Sequence, residues 1–187
     1  MKTRVTLLVF ISLFFIQSRT AAQTYYYNAT KTFNENGYTY QCDVATSTMV
    51  TLYNKSNQFT YTDMYYKGTD HTYRYNGSND AFDTETWTRA TCYSIVNNAF
   101  SNSEKGRVRR DSFGITLIID SSTGKVIEVY FRFTKTNKFA TIPVSVYRKI
   151  ETELKANIWV TPTAEGKKLN YLMLGWMHEV EPPTLPD

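Results

Sequence analysis

The chain has 187 residues, 42% hydrophobic, with 21 basic and 17 acidic side chains but only two histidines and two cysteines. That length suits one domain with a real core, and so few histidines and cysteines leave little material for a multi-ligand metal centre. The formal charge of +4 would suggest an anionic partner, but most of it sits in the first 22 residues.

Lys2 and Arg4 open the chain, Val5 to Ile16 is apolar apart from Thr6 and Ser12, and Arg19-Thr20-Ala21-Ala22 follows. A positive start, a short apolar run and small residues at its end describe a secretory signal peptide with cleavage after Ala22. The run is shorter than the roughly 20 residues that a membrane-spanning helix needs. No cysteine lies near the cleavage point, which argues against a bacterial lipoprotein. Lys2, Arg4 and Arg19 leave with this segment, so 18 basic residues remain against 17 acidic ones. A net charge of +1 gives no reason to expect nucleic acid or an anionic membrane as partner. The expected mature chain, 23–187, is a single periplasmic or extracellular domain without a membrane span.

Residues 23–80 read as β-rich. Fifteen Tyr and eleven Phe favour pleated, half-buried surfaces. Tyr38, Tyr40 and Cys42 alternate with polar residues, Thr48 to Tyr53 is β-branched and apolar, and Asn54-Lys55-Ser56-Asn57 is a turn. Phe59 to Tyr66 reads as a further strand, and Asn76-Gly77 as a turn. An oxidising compartment permits a disulfide between Cys42 and Cys92. Two buried thiols on separate elements is the alternative.

From Asp83 or Thr84, read as an N-cap, a helix places Thr88, Cys92, Ile95, Val96 and Ala99 on one face. It is expected to fray at Ser101 to Glu104. The basic cluster Lys105, Arg107, Arg109 and Arg110 reads either as an anion contact or as a solvated connector. Phe113, Ile115, Leu117 and Ile119 alternate, Asp120 to Lys125 turns with Gly124 at its end, and Ile127, Val129, Phe131 and Phe133 alternate on the return. That pattern predicts an antiparallel hairpin with one buried face. A second helix starts near Thr141 and Pro143 and buries Val146, Tyr147, Ile150, Leu154 and Ile158. Its exposed side would carry the pairs Lys149–Glu153 and Glu151–Lys155. Leu169 to Val180 is a long strand, apolar on both faces at its centre, which suggests an interior position in the sheet. Glu181 to Asp187 is a loose tail. The fold class is therefore α+β, an antiparallel sheet packed by two helices.

Over residues 83–180 this helix, hairpin, helix, strand order carries a recognisable text. Gly114-Ile115-Thr116-Leu117-Ile118-Ile119-Asp120 leads into Thr123-Gly124-Lys125-Val126-Ile127-Glu128-Val129. Trp159-Val160-Thr161-Pro162 and Gly166-Lys167-Lys168-Leu169-Asn170-Tyr171 follow. The stretch resembles the C-terminal domain of TonB-family proteins. It departs from that family in having no Pro-rich spacer, an added β-rich half, and a Trp-to-Pro step one residue longer. The resemblance implies capture of an extended segment by strand addition at a sheet edge, a mode that needs few particular side chains. The whole chain also resembles uncharacterised secreted proteins of gut Bacteroidetes.

The chemistry of an enzyme is hard to find. His71 and His178 each neighbour one acid, and nothing in the sequence gathers ligands or a triad around either. Asp80, Asp83 and Glu85 have helix-capping spacing rather than that of a glycosidase pair. No phosphate loop and no cofactor motif occurs. Asn28, Asn54 and Asn76 begin glycosylation sequons, which matter only in a eukaryotic host. Three readings follow. The first is a non-catalytic module that binds an envelope protein or peptide segment by strand addition. The second is a glycan-binding or weakly glycan-acting protein with a Tyr-rich surface. The third is a partner of another envelope protein that uses a fixed apolar patch, with Trp87 and Trp176 as candidates.

Overall fold

The structure, a computed structural model, describes residues 24–78, 80–83 and 85–182. The expected signal peptide lies outside these residues, as do Thr84 and most of the Pro-rich tail. The frame is a six-stranded sheet. Its strands are β1 (Lys31–Glu35), β2 (Tyr38–Val44), β3 (Met49–Asn54), β5 (Ser112–Ile119), β6 (Val126–Thr134) and β8 (Leu172–Glu179). The order across the sheet is β1-β2-β3-β6-β5-β8, with every pairing antiparallel. The short strands β4 (Phe82–Asp83) and β7 (Thr161–Pro162) pair separately. The helices are α1 (Thr88–Ala99), α2 (Asn102–Val108) and α3 (Val144–Asn157).

The β5–β6 hairpin follows its alternation from Phe133 back to Val129, but a register shift at Ile118/Ile119 then puts Val126 rather than Ile127 in the core, and Ile127 packs on the opposite face with the buried Ile118 and Tyr130. Phe113, Ile115, Leu117, Val129, Phe131 and Phe133 are buried, and the turn depends on Gly124. Its φ is +75°, and a Cβ there would come within 1.9 Å of the Val160 carbonyl oxygen. β1 and β2 form a second hairpin around Asn36-Gly37, both at positive φ (47° and 80°). A two-residue loop of this kind matches the twist of the strands it joins.

One face of the sheet carries the helices. Val146, Tyr147, Ile150 and Leu154 of α3 are buried against it. The layer beneath is aromatic: Phe113 and Phe139 lie 4.2 Å apart between ring centroids, Phe131 and Tyr147 5.0 Å, and Phe133 and Tyr147 5.6 Å. The buried phenols of this layer are satisfied: Tyr27 donates to the Ile142 carbonyl (2.9 Å) and Tyr147 to that of Phe139 (2.8 Å). Rings of this size carry much of the core's burial energy, and a buried hydroxyl must find a partner.

Several expectations are corrected here. Phe59 to Tyr66 is not a strand. This segment lies over part of the sheet's second face, where the buried Glu128 carboxylate accepts the backbone N–H groups of Gln58 (2.7 Å) and Phe59 (3.0 Å). Phe59 and Met64 of this segment join a small cluster with Ile118, Tyr130 and Tyr171. Ser101 does not fray: it caps α2, and Ser101 and Glu104 make a reciprocal capping box. Glu151 is not on an exposed side. It is fully buried and accepts from Tyr40, from Arg148 (2.9 Å) and from Asn54 (3.4 Å), while Lys155 stands 3.7 Å away. Lys149 donates to the Asn98 carbonyl instead of pairing with Glu153. The last strand, β8, is not interior: among the described residues it pairs only with β5 and forms an edge of the sheet.

Candidate functional site

Edge strands usually defend themselves with charge, proline, bulges or shortness. β1, at the far edge, has five residues and carries Lys31 and Glu35. β8 has eight residues, Leu-Met-Leu-Gly-Trp-Met-His-Glu, with its single acid at the end and neither Lys nor Pro. It keeps register with β5 from Ile119↔Leu172 to Ser112↔Glu179 without a bulge in its own chain. Met173 and Met177 are 43% and 62% exposed. A regular edge strand this long and this apolar is a template for pairing with another chain.

α1 runs beside this edge. Between the two lies a mainly apolar groove of about 260 Å³, lined by Thr88, Arg89, Cys92, Tyr93, Leu174 and Trp176 among others. Thr88 is only 1% exposed, yet its hydroxyl has no hydrogen-bond partner. A buried hydroxyl left unpaired costs about 1–3 kcal/mol. The other polar groups here are held. Arg89 reaches the Tyr93 hydroxyl (3.4 Å) and lies over its ring. Past Tyr93 the groove opens into a wider polar cleft of about 640 Å³ that includes Asn97, Lys105 and Glu181.

His178 closes this end. It is fully buried. Trp176 Nε1–H donates to its Nδ1 (3.3 Å), so its Nε2–H donates to the Asn97 side-chain oxygen (3.1 Å), which also accepts from the Glu181 N–H (3.2 Å). The ring is the neutral tautomer, and burial pushes its pKa down to about 4. Through Asn97 it fastens the end of β8 to α1.

The residues singled out from sequence fall apart in space. Trp176 lines the groove but is half-buried and engaged with His178. Trp87 is half-buried against Trp159, 4.4 Å between ring centroids, and it is Trp159 that is exposed. The pair Trp87 and Trp176 therefore forms no exposed patch. Cys42 on β2 and Cys92 on α1 are both free and buried, so the disulfide is not formed. Burial pushes each thiol up to about 11, which leaves them inert as nucleophiles. Glu85 accepts from Thr161, and no described group of three or more His, Cys, Asp or Glu is placed to hold a metal. Lys105 and Arg107 fall in the last turn of α2, where they complement its dipole. No described helix is long and apolar enough to cross a membrane. Sequence reasoning missed the groove, because only the fold reveals that Thr88 is buried without a partner.

Two outcomes follow. Thr88→Val keeps the shape and removes the orphaned hydroxyl, so it should raise the unfolding free energy by about 1 kcal/mol in urea titrations. A loss of stability would show that the hydroxyl is satisfied. His178 has a folded pKa below its unfolded value of about 6.5. Below that value the unfolded chain takes up a proton that the folded ring refuses. The stability that His178 supplies is therefore complete above about pH 6.5 and is lost as the pH falls toward 4, by roughly 2 kcal/mol after allowance for solvent screening. His178→Gln should flatten that part of the stability–pH curve. An unchanged slope would place the dependence elsewhere.

Comparison with known proteins places the chain. A family model described as a domain of unknown function, DUF5043, matches residues 23–176, and nothing in this match supports the TonB-type resemblance. No curated protein matches the sequence. Among solved structures, the crystal structure of a DUF5043 family protein from Bacteroides uniformis is similar with a TM-score of 0.80 and 39% identity, over 85% of this chain and 96% of that one. The family model over residues 23–176 and the 39% identical structure of the same α+β fold show that the chain belongs to the DUF5043 family.

Proposed function

We propose that this protein is a non-catalytic binding module of the periplasm or cell exterior that holds an extended protein segment by strand addition to β8. The observation that carries the reading is the undefended edge of β8 beside the α1 groove, with Thr88 waiting for a hydrogen bond. A segment laid along Leu172–Glu179 would satisfy the outward backbone groups of the strand. It would also direct alternate side chains toward α1. Backbone bonds supply affinity in this mode, and a small apolar groove supplies selection, so the scarcity of catalytic groups fits. The TonB-type resemblance read from the sequence would imply the same mode, by analogy of architecture.

The test is site-specific photo-crosslinking in an envelope extract of the source organism. A photoreactive residue replacing Met173 or Met177 on β8 should give one dominant protein adduct, and one replacing Lys31 or Glu35 on β1 should give none. Equal adducts from both edges, or none from β8, would overturn the proposal.

A further inference from the structure

On the face of the sheet opposite the helices, two shallow clefts of about 470 and 480 Å³ meet at Arg132 of β6. Four features of this surface point the same way.

The first is Arg132 itself. Its guanidinium lies 5.1 Å from the centroid of the Tyr130 ring, and it makes no ion pair with a described residue. Stacking orients the planar fork and leaves its donors free, an arrangement suited to bidentate capture of a carboxylate. The second is Tyr61, which is 63% exposed yet fixed. Its hydroxyl donates to Asp43 (2.7 Å), and its ring packs edge-on against Tyr53 at 5.7 Å. An exposed ring held this way is a ready stacking surface.

The third is the floor. Gly114 and Gly175 occupy the middle of adjacent strands, where Gly114 pairs with Met177 and Thr116 with Gly175. Neither needs a positive φ, and a Cβ at either would make only ordinary contacts, none closer than 3.5 Å. Glycine weakens a strand interior, and it often marks the close approach of a ligand. The fourth is the lining, which is rich in hydroxyls, with Thr60, Thr62 and Thr72 around one cleft and Thr116 and Thr134 around the other.

A sheet face, unlike an edge, offers an extended peptide no backbone partners. It suits a flat ligand with its own hydroxyls and a carboxylate. We infer that this face binds a uronic-acid-containing oligosaccharide, with Arg132 on the carboxylate, Tyr61 against a sugar ring and the chain lying over Gly114 and Gly175. This site lies on the face of the sheet and not along the outer edge of β8, although Met173, Gly175 and Met177 of β8 line it.

The test is calorimetric titration of the mature protein with tetragalacturonic acid and a hyaluronan tetrasaccharide. Fully methyl-esterified tetragalacturonate and a glutamate tetrapeptide serve as controls. At least one acidic saccharide should bind, and its ester and the peptide should not. Arg132→Gln should weaken that binding about tenfold or more. Gly114→Val should weaken it by raising the floor. Thermal melts confirm that each variant is folded. If Gly114→Val unfolds the protein, Tyr61→Ala replaces it with the same expectation. No binding of either acidic saccharide, equal binding of the ester or the peptide, or undiminished binding by Arg132→Gln overturns the inference.

Discussion

With β3 on the outer side of β6, the β5–β6 hairpin has its open side at β5, where the last strand of this chain joins the sheet and ends as an edge. The β5–β6 hairpin anchors the aromatic layer under α3, β1 to β3 extend the sheet on one side, and β8 extends it on the other. α1 follows from the same constraint, since His178 on β8 and Asn97 on α1 tie helix to strand. The groove between them is a product of this closure. It is lined by residues far apart in the chain, Thr88 to Tyr93 on one wall and Leu174 to Trp176 on the other.

Natural sequences tend to satisfy buried polar groups and to blunt free edges, and departures from both rules cluster where function resides. Most of this molecule obeys them. Tyr27, Tyr147, Glu128 and Glu151 are buried with partners, and β1 carries charge at both ends. Thr88 and β8 break the two rules side by side. Gly114 and Gly175 lower the strand propensity of the opposite face without a conformational need. The two surfaces are made differently: one offers backbone groups at an edge, and the other offers an arginine, a tyrosine ring and hydroxyls on a face.

Much of this was legible in the sequence where periodicity and turn chemistry agreed. The β5–β6 hairpin and α3 emerge directly, because an alternating or helical apolar period coincides in each with a turn or start signal, although the bulge at Ile118/Ile119 and the burial of Ile118 and Tyr130 on the second face do not. Misreadings arose where a local pattern had more than one physical cause. β8 is apolar on both faces, which suggests an interior strand. In fact Leu172 and Leu174 meet the core while Met173 and Met177 face outward, and covered faces do not imply a covered edge. Phe59 to Tyr66 is aromatic because it covers part of a sheet face. The signals for β1 and α2 were present, in Asn36-Gly37 and in Ser101 with Glu104, but β1 has only Phe33 as an apolar residue. The clefts were illegible because Arg132, Tyr61 and Thr88 are ordinary in sequence and acquire meaning only from what does or does not face them.

The central claim is that β8 is paired on one side and open on the other. Residue-resolved amide hydrogen exchange over Leu172–Glu179 in the free protein tests it most directly. In an antiparallel edge strand, alternate residues direct their N–H groups at the neighbour and the rest direct them outward. The account predicts slow and fast amides in strict alternation along the strand. Uniformly slow exchange would mean that the outer edge is already covered, and it would contradict the claim.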